Sequence, residues 1–178
     1  MSRPIGQKYV STLLEAPQNR GPEQKDAPMS QGSPVRYHPW TITLGELDER
    51  MGIEVVEQSA HRVVARMPVA GNRQSHGLLH GGASLALGEA VGSWAAVIHA
   101  STYGKVAVGV DASGTHHASA RDGWVRATAT AIHLGRTLTS HEVIIEHEQT
   151  GARLCTFRIT NAVIDRKIPG FEYVPVSD

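Results

Sequence analysis

The chain has 178 residues, seventeen Lys and Arg against seventeen Asp and Glu, a formal net charge of zero, and a 40% hydrophobic fraction. This length favours one domain with a real core; the charge balance argues against general nucleic-acid binding; and no apolar run approaches the roughly 18 residues of a membrane span. Cys155 is the single cysteine, so no disulfide framework exists within the chain, and no apolar leader follows Met1-Ser2-Arg3-Pro4, so a cytoplasmic location is expected. Residues 1–39 hold Pro4, Pro17, Pro22, Pro28, Pro34 and Pro39 among Gln, Gly and Ser. That composition predicts a disordered tail, with at most a short helix over 7–15. The folded domain is expected over 40–166, and a second loose end over 167–178.

Within the domain, residues 43–51 (TLGELDERM) suit a short helix. Ile53–Gln58 and His61–Met67 read as two strands about a turn at Ser59-Ala60, and a loop runs from Pro68 to Leu79. Residues 81–100 (GGASLALGEAVGSWAAVIHA) have the length of a helix and are apolar nearly all round. Four β-rich segments follow, at about 105–117, 123–134, 136–148 and 152–165. Asp122-Gly123 and Thr150-Gly151 mark turns between them. Consecutive strands with short turns pair antiparallel, so the expected class is α+β, with a sheet curled around one long helix. Gly88 and Gly92 each cost that helix about 1 kcal/mol relative to Ala. A close neighbour, whether strand, second subunit or ligand, is the expected compensation.

Two features of this helix carry chemistry. Glu89 is the sole charged residue between 81 and 100. Its i±3 and i±4 neighbours are Leu85, Ala86, Gly92 and Ser93, so no local cation pairs with it, while Ser93 can hydrogen-bond it from the same face. An unpaired carboxylate in apolar surroundings marks a candidate site. The second feature is the helix start, Gly77-Leu78-Leu79-His80-Gly81-Gly82. Free backbone N–H groups and a partial positive charge there can hold a phosphate or the oxyanion of an acyl transfer. No G-x-S-x-G, G-x-x-x-x-G-K-[ST] or G-x-G-x-x-G occurs. His76 and His80 stand at i,i+4 but lack the glutamate of H-E-x-x-H. His116-His117 point to opposite sides of a strand. His61, His99, His133, His141 and His147 read as surface or sheet-face residues.

The stretch GLLHGGASLALGEAVGSWAA, with VGVDASGTHHASARDGWVRATATAIHLGRT and GARLCTFRITNAVI, resembles the hotdog-fold acyl-CoA thioesterases of the phenylacetate, dihydroxynaphthoyl-CoA and hydroxybenzoyl-CoA type. The resemblance covers about residues 43–164. It implies a hydrolase acting on a small aryl or medium-chain acyl-CoA, with Glu89 as nucleophile or general base. It implies that the N–H of Gly81 polarises the thioester carbonyl, that Gln74 and His80 position it, and that Ser93 supports the carboxylate or a water. Gly82, His116, Ser119, Arg121 and Arg136 become candidate substrate contacts. Ala118 stands where some relatives carry an arginine, so Arg121, Arg126 or Arg136 would have to replace that phosphate contact. The resemblance further implies no metal and no cofactor beyond the coenzyme A of the substrate. It implies a homodimer or homotetramer with each site built across two subunits, and no nucleic-acid or membrane partner. A non-catalytic acyl-CoA-binding protein and a hotdog hydratase are the alternatives. Hydratases carry an Asp–His pair in the helix region, whereas here the residue at i+5 from Glu89 is Trp94.

Overall fold

The computed structural model describes residues 42–165 and two short strands outside them, β1 (Val35–Tyr37) and β8 (Phe171–Tyr173). Between these strands the order is α1 (Glu46–Met51), β2 (Glu54–Gln58), β3 (Arg62–Pro68), α2 (Gly81–Ser101), β4 (Val106–His116), β5 (Trp124–Leu134), β6 (Leu138–His147) and β7 (Arg153–Ile164). This is the element order expected of residues 43–165. β1 and β8 pair in parallel, Val35 against Phe171 and Tyr37 against Tyr173. Both lie in segments that composition assigned to tails, so strand structure extends past the expected 40–166 limits. A three-residue strand is too short to show a periodicity. The suggested helix at 7–15 lies outside the described residues.

The main sheet has six strands in the order β2-β3-β5-β6-β7-β4, all paired antiparallel. Alternation sets its two faces. Val125, Ala127 and Ala129 of β5, Val143 and Ile145 of β6, and Phe157 and Ile159 of β7 turn inward and are fully or almost fully buried. α2 lies against this face, with Leu87, Val91, Ala95 and Ile98 in the same core. Each large side chain so buried stabilises the fold by about 1.5–3 kcal/mol.

α2 is 21 residues long and apolar enough to cross a membrane by length and composition, a test that a buried core helix also passes. Its buried residues are instead part of the sheet's core. Nor is it covered all round. Gly82 and Glu89 are exposed and Ser93 is half-buried, so one stripe of the helix stays open.

The helix glycines are explained by β7. A Cβ on Gly88 would meet the Phe157 ring at 2.8 Å, and one on Gly92 would collide with Ile159. Strand and helix therefore approach more closely than any side chain allows. Gly92→Ala should lower stability although Ala is the better helix former. Overpacking costs about 1–3 kcal/mol, against about 1 kcal/mol gained in propensity. A lower thermal midpoint in calorimetry is the expected result, and a higher one would contradict this packing.

Of the histidines, His99, in α2, is buried rather than at the surface, and His141 is a sheet-face residue of β6 on the buried side. His99 Nε2 lies 3.0 Å from the Gly135 carbonyl oxygen, and His141 Nε2 lies 3.2 Å from that of Ala60. Burial holds the His141 imidazole below its ordinary pKa, with repulsion from His99 and His61 adding to the effect.

Candidate active site

The start of α2 is built by the preceding loop. Gln74 N–H donates to Leu78 O at 2.8 Å, Leu79 N–H to Ala120 O at 2.8 Å, and His80 N–H to Asn72 O at 2.8 Å. His80 is the N-cap residue, and its Nδ1 accepts the Gly82 N–H at 2.8 Å. Ala83 N–H and Ser84 N–H both point to His80 O. The N–H of Gly81 has no partner among the described residues, so it is the free donor of the first turn. The Gln74 side-chain oxygen accepts the His76 N–H at 3.1 Å, which leaves the Gln74 amide NH2 as a second donor.

His116 leans over this helix start. A Cβ on Gly81 would lie 3.0 Å from His116 Nε2, so glycine is what lets the imidazole approach. Gln74, Gly81, Ser84, His116 and Ser119 line one cavity of about 170 Å³, with Leu78 and Leu154 as apolar wall. Sequence reasoning named four of these residues: Gln74, Gly81, His116 and Ser119. His80 and Gly82 flank the cavity on the exposed surface without lining it. Arg121 is exposed one residue beyond Ala120, which belongs to the wall. Arg136 is not brought to this cavity. It is exposed beside Gly135, whose carbonyl meets His99 near the opposite end of α2. Arg126 is committed elsewhere, to Glu148 at 2.7 Å.

Glu89 lies in a different place. It is exposed in the single chain and lines a second, shallower cavity of about 240 Å³ with Gly109, Val110, Asp111, Ala112 and Ile159. The buried setting expected for the carboxylate is thus not provided by one chain, because the sheet stops at β4 and leaves this stripe of α2 open. The pairing of β4 with β7 shifts register between Gly109 and Asp111, beside the carboxylate. Ser93 is one turn beyond Glu89 and accepts a hydrogen bond from Asn161 Nδ2 at 3.3 Å. Asn161, like Asp111, was not singled out from the sequence. Its signal was the alternation of β7, which puts an amide in the inward row of Cys155, Phe157, Ile159 and Val163.

The two cavities do not merge within one chain. With a rise of about 1.5 Å per residue, Glu89 is roughly 12 Å along the axis from Gly81. One carbonyl group cannot touch both. Neither cavity reaches the roughly 300 Å³ of a typical small-molecule site. No group of three His, Cys, Asp or Glu side chains placed to hold a metal occurs among the described residues. Cys155 is buried in the core, and that burial pushes its thiol up from its ordinary pKa, so no ready thiolate is available there.

The sequence profile described as Thioesterase superfamily matches residues 76–153. A Deinococcus radiodurans protein with an esterase name is 45% identical over 59% of this chain, which spans 66% of that relative's length. The proofreading thioesterase EntH of Cronobacter turicensis is 40% identical over 68% of this chain and 88% of its own length. The crystal structure of a mutant thioesterase from Pseudomonas aeruginosa superposes with a TM-score of 0.63 at 31% identity. That superposition covers 71% of this chain and 99% of the other.

Proposed function

The chain belongs to the thioesterase superfamily and is a thioester hydrolase, and from that premise we propose that it hydrolyses a small aryl or medium-chain acyl-CoA to the free acid and coenzyme A. The observation that carries the reading is the division of parts along α2: a free N–H at Gly81 and a solvent-reachable carboxylate at Glu89. A thioester carbonyl is electrophilic and its thiolate leaves readily. The reaction needs a donor for the developing oxyanion and a group that attacks or activates water. The Gly81 N–H and the Gln74 amide are the donors, with His80 holding the helix start in place. Glu89 attacks the carbonyl carbon or takes a proton from the water that does, and Ser93 orients it. His116, Ser119 and Gly82 are the candidate contacts for the rest of the substrate. Arg121, which has no salt bridge among the described residues, is the better placed cation for its phosphates; Arg136 could serve only another part of the assembly.

The separation of about 12 Å between Gly81 and Glu89 is the reason to place each site between two copies of the chain. The sheet edges support the same reading. β2 carries Glu54 and Glu57 in ion pairs with Arg66 and Arg62, which blunts that edge. β4 is exposed along most of its length, with Val108 and Val110 at 40% and 58% exposure, and borders the Glu89 cavity. Joining two β4 edges would set Glu89 of one copy near the helix start of the other. The direct test is release of free thiol from a panel of aryl and aliphatic acyl-CoAs, read with a thiol reagent. Turnover of at least one aryl or medium-chain member is expected. Binding of the panel without any thiol release would reject hydrolysis of CoA esters.

A further inference from the structure

We propose that Asn161 is a positioning residue for hydrolysis, acting through Ser93 to aim a hydroxyl proton at the Glu89 carboxylate. The inference rests on the reading of Glu89 as the catalytic carboxylate. Asn161 is fully buried in β7, in a row whose other members are apolar, and a Val or Leu there would serve the core better. Its amide is used at one end only. Nδ2 donates to Ser93 Oγ, while Oδ1 is buried without a partner among the described residues. Across β6, Thr139 is paired with Asn161, and its Oγ1 is buried and unpartnered as well. Leaving interior polar atoms in this condition is destabilising. A fold tolerates such a conflict most readily where it serves the site.

The direction of the hydrogen bond gives the amide its use. Ser93 Oγ accepts from Asn161, so the hydroxyl proton is turned away from β7. Helical side chains lean toward the N-terminus, and the residue one turn back on the same face is Glu89. A Cβ at Gly109 would lie 3.9 Å from Glu89 Oε1 and 4.0 Å from Asn161 Nδ2, so the carboxylate and the amide flank the same point on β4. The Ser93 hydroxyl can then donate to the carboxylate, or to a water held by it, as a charge-assisted bond. Were the amide reversed, Ser93 would donate to Asn161 and present only lone pairs to Glu89.

The test compares thiol-release kinetics and melting for Asn161→Leu, Ser93→Ala, the double variant and Glu89→Gln. Leu has the γ-branched shape of Asn and suits the apolar row, although its methyls are bulkier, so Asn161→Leu should fold and melt near the wild-type temperature. Its kcat should nevertheless fall about tenfold, with KM changed less than about twofold. In the Ser93→Ala background, Asn161→Leu should cause no further loss, because its route to Glu89 is already gone. An equal loss in both backgrounds, or wild-type kcat for Asn161→Leu, would overturn the proposal. If Asn161→Leu fails to fold, Asn161→Asp is read in its place. A carboxylate there accepts the Ser93 proton, so kcat should again fall, and undiminished kcat would be contrary. Wild-type turnover by Glu89→Gln would remove the active-site reading and this inference with it.

Discussion

Glu89→Gln should lower kcat for thioester hydrolysis by about two to four orders of magnitude, the range for loss of a covalent or acid–base group. The amide is close in size to the carboxylate but cannot attack a carbonyl or accept a proton at neutral pH. Because Glu89 is exposed in the single chain and makes no salt bridge among the described residues, its replacement removes no packing. Circular dichroism, melting temperature and oligomer mass should match the wild type. KM should change little, since the carboxylate acts on the reacting carbon rather than on the bulk of the substrate. Hydrolysis at a near-wild-type rate would show that the carboxylate is elsewhere, with Asp111 in the same cavity the next residue to replace.

Two inactive proteins should also restore each other. Glu89→Ala removes the carboxylate, and Gly81→Pro removes the free N–H while staying compatible with the first turn of a helix. Each homodimer should be nearly inactive, because both of its sites lack one part. In a mixed dimer, one site collects both defects and the other none. Random exchange makes about half the dimers mixed, so recovery should approach roughly a quarter of wild-type activity. Proline also places a carbon near His116, as any side chain at 81 would. Gly81→Ala makes the same intrusion but keeps the N–H, and so separates steric from hydrogen-bond loss. Exchange is checked by mass spectrometry of tagged chains. Confirmed exchange with activity at the level of the parents would mean that each site lies within one chain.

Composition, turn signals and segment length made most of the fold legible. Thr128, Val143, Ile145 and Phe157 are β-formers in stretches divided by turns at Asp122-Gly123 and Thr150-Gly151, and the run from Gly81 onward is too long for a strand. The helix start itself was legible from Gly77 to Gly82, whereas Gln74 and His116, which line the same cavity, were reached through the family resemblance. The setting of Glu89 was not legible. An apolar sequence on either side reads as burial, yet the coverage of a helix depends on where the sheet ends, and only the strand order shows that. Arg136 lies away from the helix-start cavity because the β5–β6 turn meets the other end of α2, a placement that needs the three-dimensional arrangement. Asn161 was overlooked because one amide in ITNAVI resembles a solvent-facing residue until register assigns its face.

The contact of α2 with β7 through Gly88 and Gly92 bears on how such a site can change over generations. A helix seated that closely on a strand has little freedom to slide or tilt, so Glu89, Ser93 and the Gly81 N–H keep fixed spacings as one rigid body. Mutations that would retune the reaction centre must disturb the core as well, and selection against unfolding removes them. The exposed positions beside Gln74, and those from His117 to Asp122 other than the buried Ala120, carry no such penalty. Diversification toward new acyl groups is therefore channelled into those two segments, and libraries aimed at altered selectivity should sample them while leaving the helix untouched.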